Sequence, residues 1–338
     1  MKSTSQALLA LVLACAAALA GAQAPERLVL SAPGPRNISY LPVDLIPKIG
    51  ADKAEGVELQ LLPTGGGAVA LGNLMNRNAD FAVAGFPAAM SLRANGGPVV
   101  GIAAVDDAPL FILMVRAGLG NKVKRVADLK GKVIGVNTSS LSSKTTSQQL
   151  AELLLKSGGI IADQVRIIPA GQSWPEQSSL IYSGMVDAIM GDEPFASRLL
   201  AEKKVFFLAD LTDPATTARI PGANFLHAAL ETRADLIESE PQKVAKMVRI
   251  MRRSLQWIAS HTPEELVAQL DIEDGAERES LLASLKKYPR VFSRDGAFSS
   301  RQLQETALFF RGSAPDSPAA QALNVETMIS DRWAGRRN

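Results

Sequence analysis

The stretch QLLPTGGGAVALGNLMNRNADFAVAG, residues 60–85, contains two strand-like runs with a helix-like run between them. The first strand-like run ends at Thr64, and the three glycines Gly65, Gly66 and Gly67 follow before the helix-like run begins. Glycine is less favourable than alanine inside a regular element, by roughly 0.5–1 kcal/mol. The triple glycine therefore predicts a position at the carboxyl end of a strand where a side chain would be in the way.

Alternation of strands and helices continues along much of the chain and occurs in two sets. Short β-rich runs separated by helical runs predict parallel sheets, and two such sets predict two α/β lobes. The first set of predicted strands comprises residues 27–32, 57–62, 80–85 and 98–105, a long apolar strand follows at 109–117, and the second set comprises 132–137, 164–170 and 187–192.

The last third of the chain is predicted to be helical. One apolar face has helical spacing and consists of Val244, Met247, Val248, Met251, Leu255 and Ile258. Helix starts are indicated by capping boxes at Ser239 with Gln242 and at Thr262 with Glu265, and by Ser299 with Gln302. We expect these helices to pack on the lobes as a C-terminal tail.

Composition places the chain among ordinary globular proteins. It has 338 residues, of which 47% are hydrophobic, and its 36 basic and 34 acidic residues leave a net charge of +2. This length is typical of about two domains. Because no basic run of useful length occurs apart from Arg336 and Arg337, a nucleic-acid partner is not expected.

The amino-terminal residues 1–22 are predicted to be a secretory signal peptide. Lys2 is followed by an unbroken apolar run over residues 7–20, and the small residues after it favour cleavage between Ala22 and Gln23. The apolar run is shorter than the ~20 residues that a membrane-spanning helix needs. We therefore expect an exported, periplasmic protein.

Cys15 is the single cysteine of the sequence and lies inside this apolar run. Lipid attachment at Cys15 is not favoured, because the bulky Leu13 stands where lipoprotein signals usually have a small residue. Cleavage after Ala22 would leave the exported chain without cysteine. Disulfides, thiol catalysis and cysteine metal sites would then be excluded.

The carboxyl ends of the predicted strands indicate a binding cleft. In open parallel α/β sheets, ligands bind beyond these ends, where helix N-termini favour a negative or strongly polar group. The triple glycine occupies such an end, although a tight turn without a ligand would also use glycine. The other strands also run into small, polar or turn-forming residues, at 33–40, 86–90, 138–143, 171–174 and 192–194. In two facing lobes these ends would line one cleft.

The sequence resembles a known family in two regions. The runs VADLKGKVIGVNTSS and SSLIYSGMVDAIMGDEPFASRLL are similar to solute-binding proteins of ABC importers, in the nitrate, sulfonate, taurine and thiamine-precursor branch. The first lobe of that family is matched by SYLPVDLIPKIG, by GVELQLLPTGGG and by LMNRNADFAVAG. The resemblance covers about residues 27–269 and is more specific for the family than for the ligand.

The resemblance implies a two-lobed clamshell of the type II periplasmic-binding-protein class, with the chain crossing between lobes at 105–108 and 224–232. Residues 25–107 and 226–338 would form lobe I with the C-terminal helices, and residues 108–225 would form lobe II. It also implies a monomer that captures a small anionic or heteroaromatic molecule, without cofactor or metal, and delivers it to a membrane permease with its ATPase.

Ligand-binding residues are predicted at the strand ends that match the family. They are Arg36, Asn37, Ser39, Tyr40, Thr64, Gly65, Gly66, Gly67, Gly85, Phe86, Thr138, Ser139, Ser140, Gln172, Trp174, Glu193 and Phe225. Ser139 and Ser140 stand where family members often have Gly-Ser. The four aromatic residues of this set could equally belong to the lobe cores, and Trp174 is favoured for the cleft because it lies in a predicted loop.

Two charged residues of the predicted site favour different ligands. Arg36 could pair with a carboxylate, sulfonate or phosphate through its planar guanidinium, or it could be a solvated loop arginine. Glu193 could hold an amine-bearing or aminopyrimidine ligand, or it could serve the first turn of a helix. The helix N-termini favour an anion.

Catalysis is not predicted. His227 lies in an apolar run and His261 precedes a capping threonine, and the sequence contains no H-E-x-x-H, G-x-S-x-G or Walker A motif. Ser142 and Lys144 lack the S-x-x-K spacing, and no His/Asp/Glu cluster has the spacing of metal ligands. The alternatives to an importer receptor are a periplasmic enzyme on the same fold and a ligand-sensing partner of a membrane receptor.

Overall fold

The structure, a computed structural model, describes residues 25–338. The predicted signal peptide, its cleavage site and Cys15 lie outside the described residues. Within residues 25–338, no helix is both long enough and apolar enough to cross a membrane.

The described chain contains two large sheets and one short two-stranded sheet. The strands are β1 Glu26–Pro33, β2 Val57–Thr64, β3 Phe81–Gly85, β4 Val99–Ala104, β5 Phe111–Arg116, β6 Val133–Val136, β7 Arg166–Pro169, β8 Ala188–Asp192, β9 Val205–Asp210, β10 Ala228–Arg233, β11 Phe298–Ser299 and β12 Arg336–Arg337. The helices are α1 Leu41–Lys48, α2 Gly67–Met75, α3 Phe86–Ala94, α4 Thr146–Ser157, α5 Trp174–Ser183, α6 Phe195–Ala201, α7 Pro214–Thr217, α8 Ala234–Ser239, α9 Pro241–Ser260, α10 Pro263–Gln269, α11 Gly275–Lys287, α12 Ser300–Ser313 and α13 Pro318–Ala322.

Each large sheet has five strands and belongs to one lobe. The strand order is β2-β1-β3-β10-β4 in lobe I and β7-β6-β8-β5-β9 in lobe II. In lobe I, β10 is antiparallel to both its neighbours, and in lobe II β5 is likewise antiparallel to both of its own. The other pairs, β1 with β2 and β3, and β6 with β7 and β8, are parallel. The predicted two-lobed α/β fold with mostly parallel sheets is confirmed.

The two antiparallel strands are the first strands after the chain crosses between the lobes. The chain leaves lobe I after β4 and enters lobe II at β5, and it returns from β9 to β10. The proposed lobe boundaries, 25–107 with 226–338 and 108–225, are compatible with these sheets and stay a prediction.

Apolar layers cover both faces of each sheet. The predicted face of α9 packs into lobe I through Val244, Met247, Val248, Met251 and Leu255, with Ile258 partly buried beside them. Thr262 and Glu265 form the predicted capping box of α10, and the side chain of Ser299 caps α12. These C-terminal helices therefore join the lobe I core.

The capping box predicted at Ser239 is wrong. The hydroxyl of Ser239 donates to the carbonyl oxygen of Asp235 at 2.8 Å, which places Ser239 inside α8. Helix α9 starts one residue after Glu240, which makes no side-chain capping hydrogen bond. The short helix α8 and the 20-residue helix α9 meet with only Glu240 between them, so a single S-x-x-Q pattern could not show the break.

Helix α12 contacts both lobes. Leu303 and Phe310 pack into the lobe I core, whereas Phe309 packs into the lobe II core. The ring of Phe309 stacks on Phe225 with 4.3 Å between centroids. The helical tail thus links the lobes in addition to covering lobe I.

Glu231 in β10 is fully buried, and its two carboxylate oxygens have no hydrogen-bond partner among the described residues. Burial raises the pKa of this carboxyl well above its usual value. The folded chain therefore holds the proton more tightly than the unfolded chain. The contribution of this tighter proton binding to the free energy of unfolding is fully present below about pH 4. It is lost as pH rises through the pKa of Glu231 in the folded state.

We therefore expect Glu231→Gln to raise the unfolding temperature more at pH 8 than at pH 4, because the amide stays neutral at both values. Calorimetric unfolding of both chains at the two pH values measures the difference. Equal shifts at pH 8 and pH 4 would contradict a buried, protonated carboxyl.

Candidate functional site

The carboxyl ends of the two sheets face each other, and the lobes are in contact there. Between them lies a cavity of about 20 Å³. Its lining comprises Tyr40, Gly67, Gly85, Ala88 and His227 from lobe I, and Phe111, Asn137, Thr145, Thr146, Ser147, Gln172 and Asp192 from lobe II. This volume suits roughly one water molecule. A larger ligand can therefore enter only when the lobes move apart.

The glycine turn between β2 and α2 lies against lobe II. The backbone N–H of Ser139 donates to the carbonyl oxygen of Gly65 at 2.7 Å. A Cβ atom added to Gly65 would lie 2.3 Å from the Ser139 hydroxyl oxygen, and one added to Gly66 would lie 2.7 Å from the Thr138 hydroxyl oxygen. These positions lack side chains because the other lobe occupies the space.

A third glycine at the cleft repeats this arrangement. Gly85 ends β3, and a Cβ atom there would lie 2.2 Å from the hydroxyl oxygen of Thr146 at the start of α4. Glycine backbone thus meets short hydroxyl side chains where the lobes are in contact. Any added methyl group at these glycines would keep the lobes apart.

Side-chain amides connect the lobes beside the cavity. The Asn37 amide from lobe I donates to Gln172 Oε1 at 3.2 Å and to Asp192 Oδ2 in lobe II. The Gln172 amide donates in turn to the carbonyl oxygen of Asn137 at 2.6 Å. Asn37, Gln172, Asn137 and Asp192 are all buried. This network lies beside the cavity and contributes Asn137, Gln172 and Asp192 to its wall.

Several buried polar atoms at the cleft have no partner among residues 25–338. They include Oδ1 of Asp192, the hydroxyl of Thr146 and the hydroxyl of Ser39. Burial raises the pKa of Asp192 to about 7, although the hydrogen bond from Asn37 acts in the opposite direction. Unpaired buried polar groups are costly, so these atoms are candidates for ligand contact.

The two crossing segments are bonded to each other by Asp106 and His227. Asp106 Oδ2 lies 3.0 Å from His227 Nδ1, and Asp106 Oδ1 accepts from the backbone N–H of Ala228 at 2.8 Å. Burial raises the pKa of Asp106, and the neighbouring His227 counteracts this shift. Phe111 meets the imidazole edge-on, with 4.8 Å between centroids. His227 therefore joins the hinge to the cavity wall.

The structure brings together one group of the predicted site residues. Four of them line the cavity: Tyr40, Gly67, Gly85 and Gln172. Six others lie at the contact between the lobes beside the cavity or are buried near it: Asn37, Ser39, Gly65, Gly66, Thr138 and Ser139. The hydroxyl of Thr64 donates to carbonyl oxygens of Ala32 and Gly66 and so supports the glycine turn.

The structure places the two charged candidates outside the cavity lining. The Arg36 guanidinium pairs with Glu277 of α11 at 3.0 Å. The Glu193 carboxylate accepts from the backbone and hydroxyl of Ser197 in α6, and also from the hydroxyl of Tyr288 at 3.3 Å. Both groups therefore already have partners that neutralise or solvate them.

Four other predicted residues also lie outside the lining. The ring of Trp174 is covered by the guanidinium of Arg198 at 3.9 Å. Phe86 and Phe225 belong to the apolar cores of lobe I and lobe II. The hydroxyl of Ser140 pairs with that of Ser142 at the exposed turn.

Sequence reasoning missed several residues of the cavity wall, namely Asp192, Asn137, Thr145, Thr146, Ser147 and Phe111. It also missed Asp106, which contacts His227 at the hinge. Asp192 ends β8 and immediately precedes Glu193, which was predicted as a ligand-binding residue. The acidic residue at the end of a strand could therefore have indicated Asp192 as well. His227, which the sequence places in an apolar run, also lines the cavity. Within residues 25–338, no group of three or more His, Cys, Asp or Glu side chains is placed to hold a metal ion.

Two α/β lobes joined by two crossings and closed over a polar cavity define the class of periplasmic-binding-protein folds. A structure from Bordetella bronchiseptica RB50 is similar, with a TM-score of 0.83, 22% identity, and coverage of 92% of this chain and 96% of that chain. The alkanesulfonate-binding protein SsuA from Xanthomonas axonopodis pv. citri, bound to MOPS, has a TM-score of 0.70, 15% identity, and coverage of 94% and 100%.

The periplasmic nitrate-binding protein NrtA from Synechocystis PCC 6803 has a TM-score of 0.68, 14% identity, and coverage of 91% of this chain and 87% of that chain. No curated protein matches the sequence significantly. The family model described as NMT1/THI5 like matches residues 53–265. The chain belongs to the NMT1/THI5-like family, as the sequence motifs predicted.

Proposed function

We propose that this protein is an exported solute receptor that captures a small molecule between its lobes and delivers it to the permease and ATPase of an ABC importer. The observation that carries this proposal is the buried polar cavity, whose wall comes from both lobes. A ligand that contacts both lobes is held fully only in the closed form, so its binding shifts the lobes towards closure.

The comparisons support the general part of this proposal, which is the binding of a solute. Family membership and the fold shared with SsuA and NrtA favour solute binding. A periplasmic location and an importer partner follow from that role together with the predicted signal peptide. Capture without chemical conversion is favoured because the family and the similar structures are binding proteins.

A thermal-shift screen of the exported chain tests the proposal. A ligand that binds only the folded chain adds ~2.7 kcal/mol of stability at a hundredfold excess over Kd. Sulfonates, nitrate, aromatic carboxylates and pyrimidines form the panel. Mass spectrometry of each bound ligand after prolonged incubation separates a receptor from an enzyme, because a receptor returns the ligand unchanged. Conversion of the ligand would contradict the proposal.

A further inference from the structure

A second cavity, which we call the tail cavity, lies among the C-terminal helices of lobe I. The ends of α9 and α11, the start of α10 and residues 288–294 surround it. Its volume is about 390 Å³, whereas the cavity between the lobes has about 20 Å³, and the two cavities share no lining residue. Pockets that bind small molecules commonly have volumes of about 300–1,000 Å³. The tail cavity can therefore hold a ligand of its own while the lobes stay closed.

The interior of the tail cavity is apolar. Leu255, Leu266, Leu285 and Phe292 line it, and all four are buried in lobe I. A cavity of about 150 Å³ lined by such side chains holds benzene. The tail cavity therefore has room for a phenyl ring or a medium-length alkyl chain, and such a group is stabilised when its apolar surface leaves water.

The exposed edge of the tail cavity is basic. Arg290 and Arg294 belong to the lining, are exposed, and form no ion pair or side-chain hydrogen bond within residues 25–338. Asp107 is the acidic residue of the lining, and its carboxylate already pairs with the Arg337 guanidinium at 2.9 Å. Both free guanidinium groups can therefore donate hydrogen bonds to an anion, which they recognise in a planar, two-pronged geometry.

The segment that carries these two arginines is fixed to the first crossing between the lobes. The backbone N–H of Asp107 donates to the carbonyl oxygen of Val291 at 2.6 Å, and the backbone N–H of Ser293 donates to that of Val105 at 3.0 Å. A wall that is already ordered avoids the entropy cost of ordering it when a ligand binds. The tail cavity is thus a preformed site.

We infer that the tail cavity is a second binding site, separate from the cleft, for a small molecule with an apolar body and one anionic group, such as a medium-chain or aryl carboxylate. The apolar body would lie against the buried side chains of the interior. The anionic group would accept hydrogen bonds from Arg290 and Arg294. This inference goes beyond solute capture between the lobes, because the lobes need not move for this ligand to bind.

Three probes with the same alkyl chain and different head groups test the chemistry of this site. Octanoate is anionic, octanol is neutral, and octylamine is cationic at neutral pH. In calorimetric titrations of the exported chain at one low salt concentration, octanoate should bind about tenfold more tightly than octanol, and octylamine should bind most weakly. Octanol binding as tight as that of octanoate would overturn the inference, because the arginines would then contribute nothing.

Exchanging the charge of the two arginines tests their role directly. Arg290→Glu combined with Arg294→Glu should reverse the preference, so that octylamine binds more tightly than octanoate. The matched control is Arg166→Glu combined with Arg219→Glu, which changes the net charge equally at two exposed positions of lobe II outside the tail cavity. The control should keep the original order of affinities. Reversal in both double variants would assign the preference to net charge and overturn the inference.

Ala259→Phe tests where octanoate binds. Ala259 is an exposed residue of the lining, so the larger side chain should fill the tail cavity without displacing the core, and urea unfolding checks this. Octanoate affinity should fall about tenfold or more. Gly65→Ala, which places a Cβ atom against Ser139 at the cleft, should leave octanoate affinity unchanged.

Two further results would overturn the inference. Octanoate binding that is lost in Gly65→Ala and kept in Ala259→Phe would place the acid in the cleft. Failure of octanoate to bind the unaltered chain would show that the tail cavity takes no apolar acid. Neither result would affect the proposed solute capture, which the thermal-shift panel tests separately.

Discussion

A single methyl group at Gly65 should prevent the lobes from closing. In Gly65→Ala, the new Cβ atom would lie 2.3 Å from the Ser139 hydroxyl oxygen and 2.6 Å from its Cβ, and its three nearest neighbouring atoms all belong to this one residue of the other lobe. The clash therefore exists only in the closed form. We expect ligand affinity to fall at least tenfold, or ~1.4 kcal/mol, with little loss of folding stability.

Small-angle scattering and calorimetric titration measure closure and affinity. Gly72→Ala is the matched control, because Gly72 lies in α2 with open space where the new Cβ atom would be, and alanine is favourable in a helix. The double variant Gly65→Ala with Ser139→Gly removes the clashing side chain and should recover affinity. A Gly65→Ala chain that closes and binds normally would show that the glycine is only a turn residue.

The second large effect is expected at the hinge, in Asp106→Ala. This change leaves the backbone N–H of Ala228 and the ring nitrogen of His227 without their buried acceptor. Each stranded buried group costs roughly 1–3 kcal/mol, so the free energy of unfolding should fall by at least ~2 kcal/mol. Urea unfolding measures the loss.

The neighbouring Asp107 provides the control for this experiment. Its carboxylate pairs with Arg337 in a partly exposed position, where an ion pair contributes about 0–1 kcal/mol. Asp107→Ala should therefore be nearly neutral. Asp106→Asn retains an acceptor of the same shape and should fall between the two. Equal losses in Asp106→Ala and Asp107→Ala would contradict a special role for the buried pair.

The fold was predictable from the sequence because its strands are apolar runs that end in turn residues. The run at 109–117 predicted β5, and the triple glycine predicted the turn after β2. Strand β9 was missed although residues 205–209, VFFLA, form a continuous apolar run, and the buried strand β10 was interpreted as part of the crossing at 224–232. Both strands pair with strands that are distant in the sequence, β9 with β5 and β10 with β3 and β4, so their places in the sheets follow from long-range pairing and not from the local pattern.

The candidate site was less predictable because it depends on contacts between distant residues. The Arg36 side chain is held by Glu277, which lies 241 positions away in the sequence. Asp192 and Glu193 are adjacent acids, and the fold alone decides that the first lies at the cavity and the second at α6. Likewise, Gly65 and Gly66 indicated that a neighbouring group leaves no room for a side chain. The groups that occupy this space belong to residues 138 and 139 of the other lobe.

The contact between glycine backbone and hydroxyl side chains acts as a mechanical stop. Ser139, Thr138 and Thr146 have short side chains, so the distance at which the lobes halt is set almost entirely by the main chain. Every ligand thin enough to let these contacts form would give the same closed conformation of the two lobes. A thicker ligand would prevent that conformation. A membrane partner that recognises this closed conformation would receive an all-or-none signal that reports a completed fit and not the chemistry of the cargo.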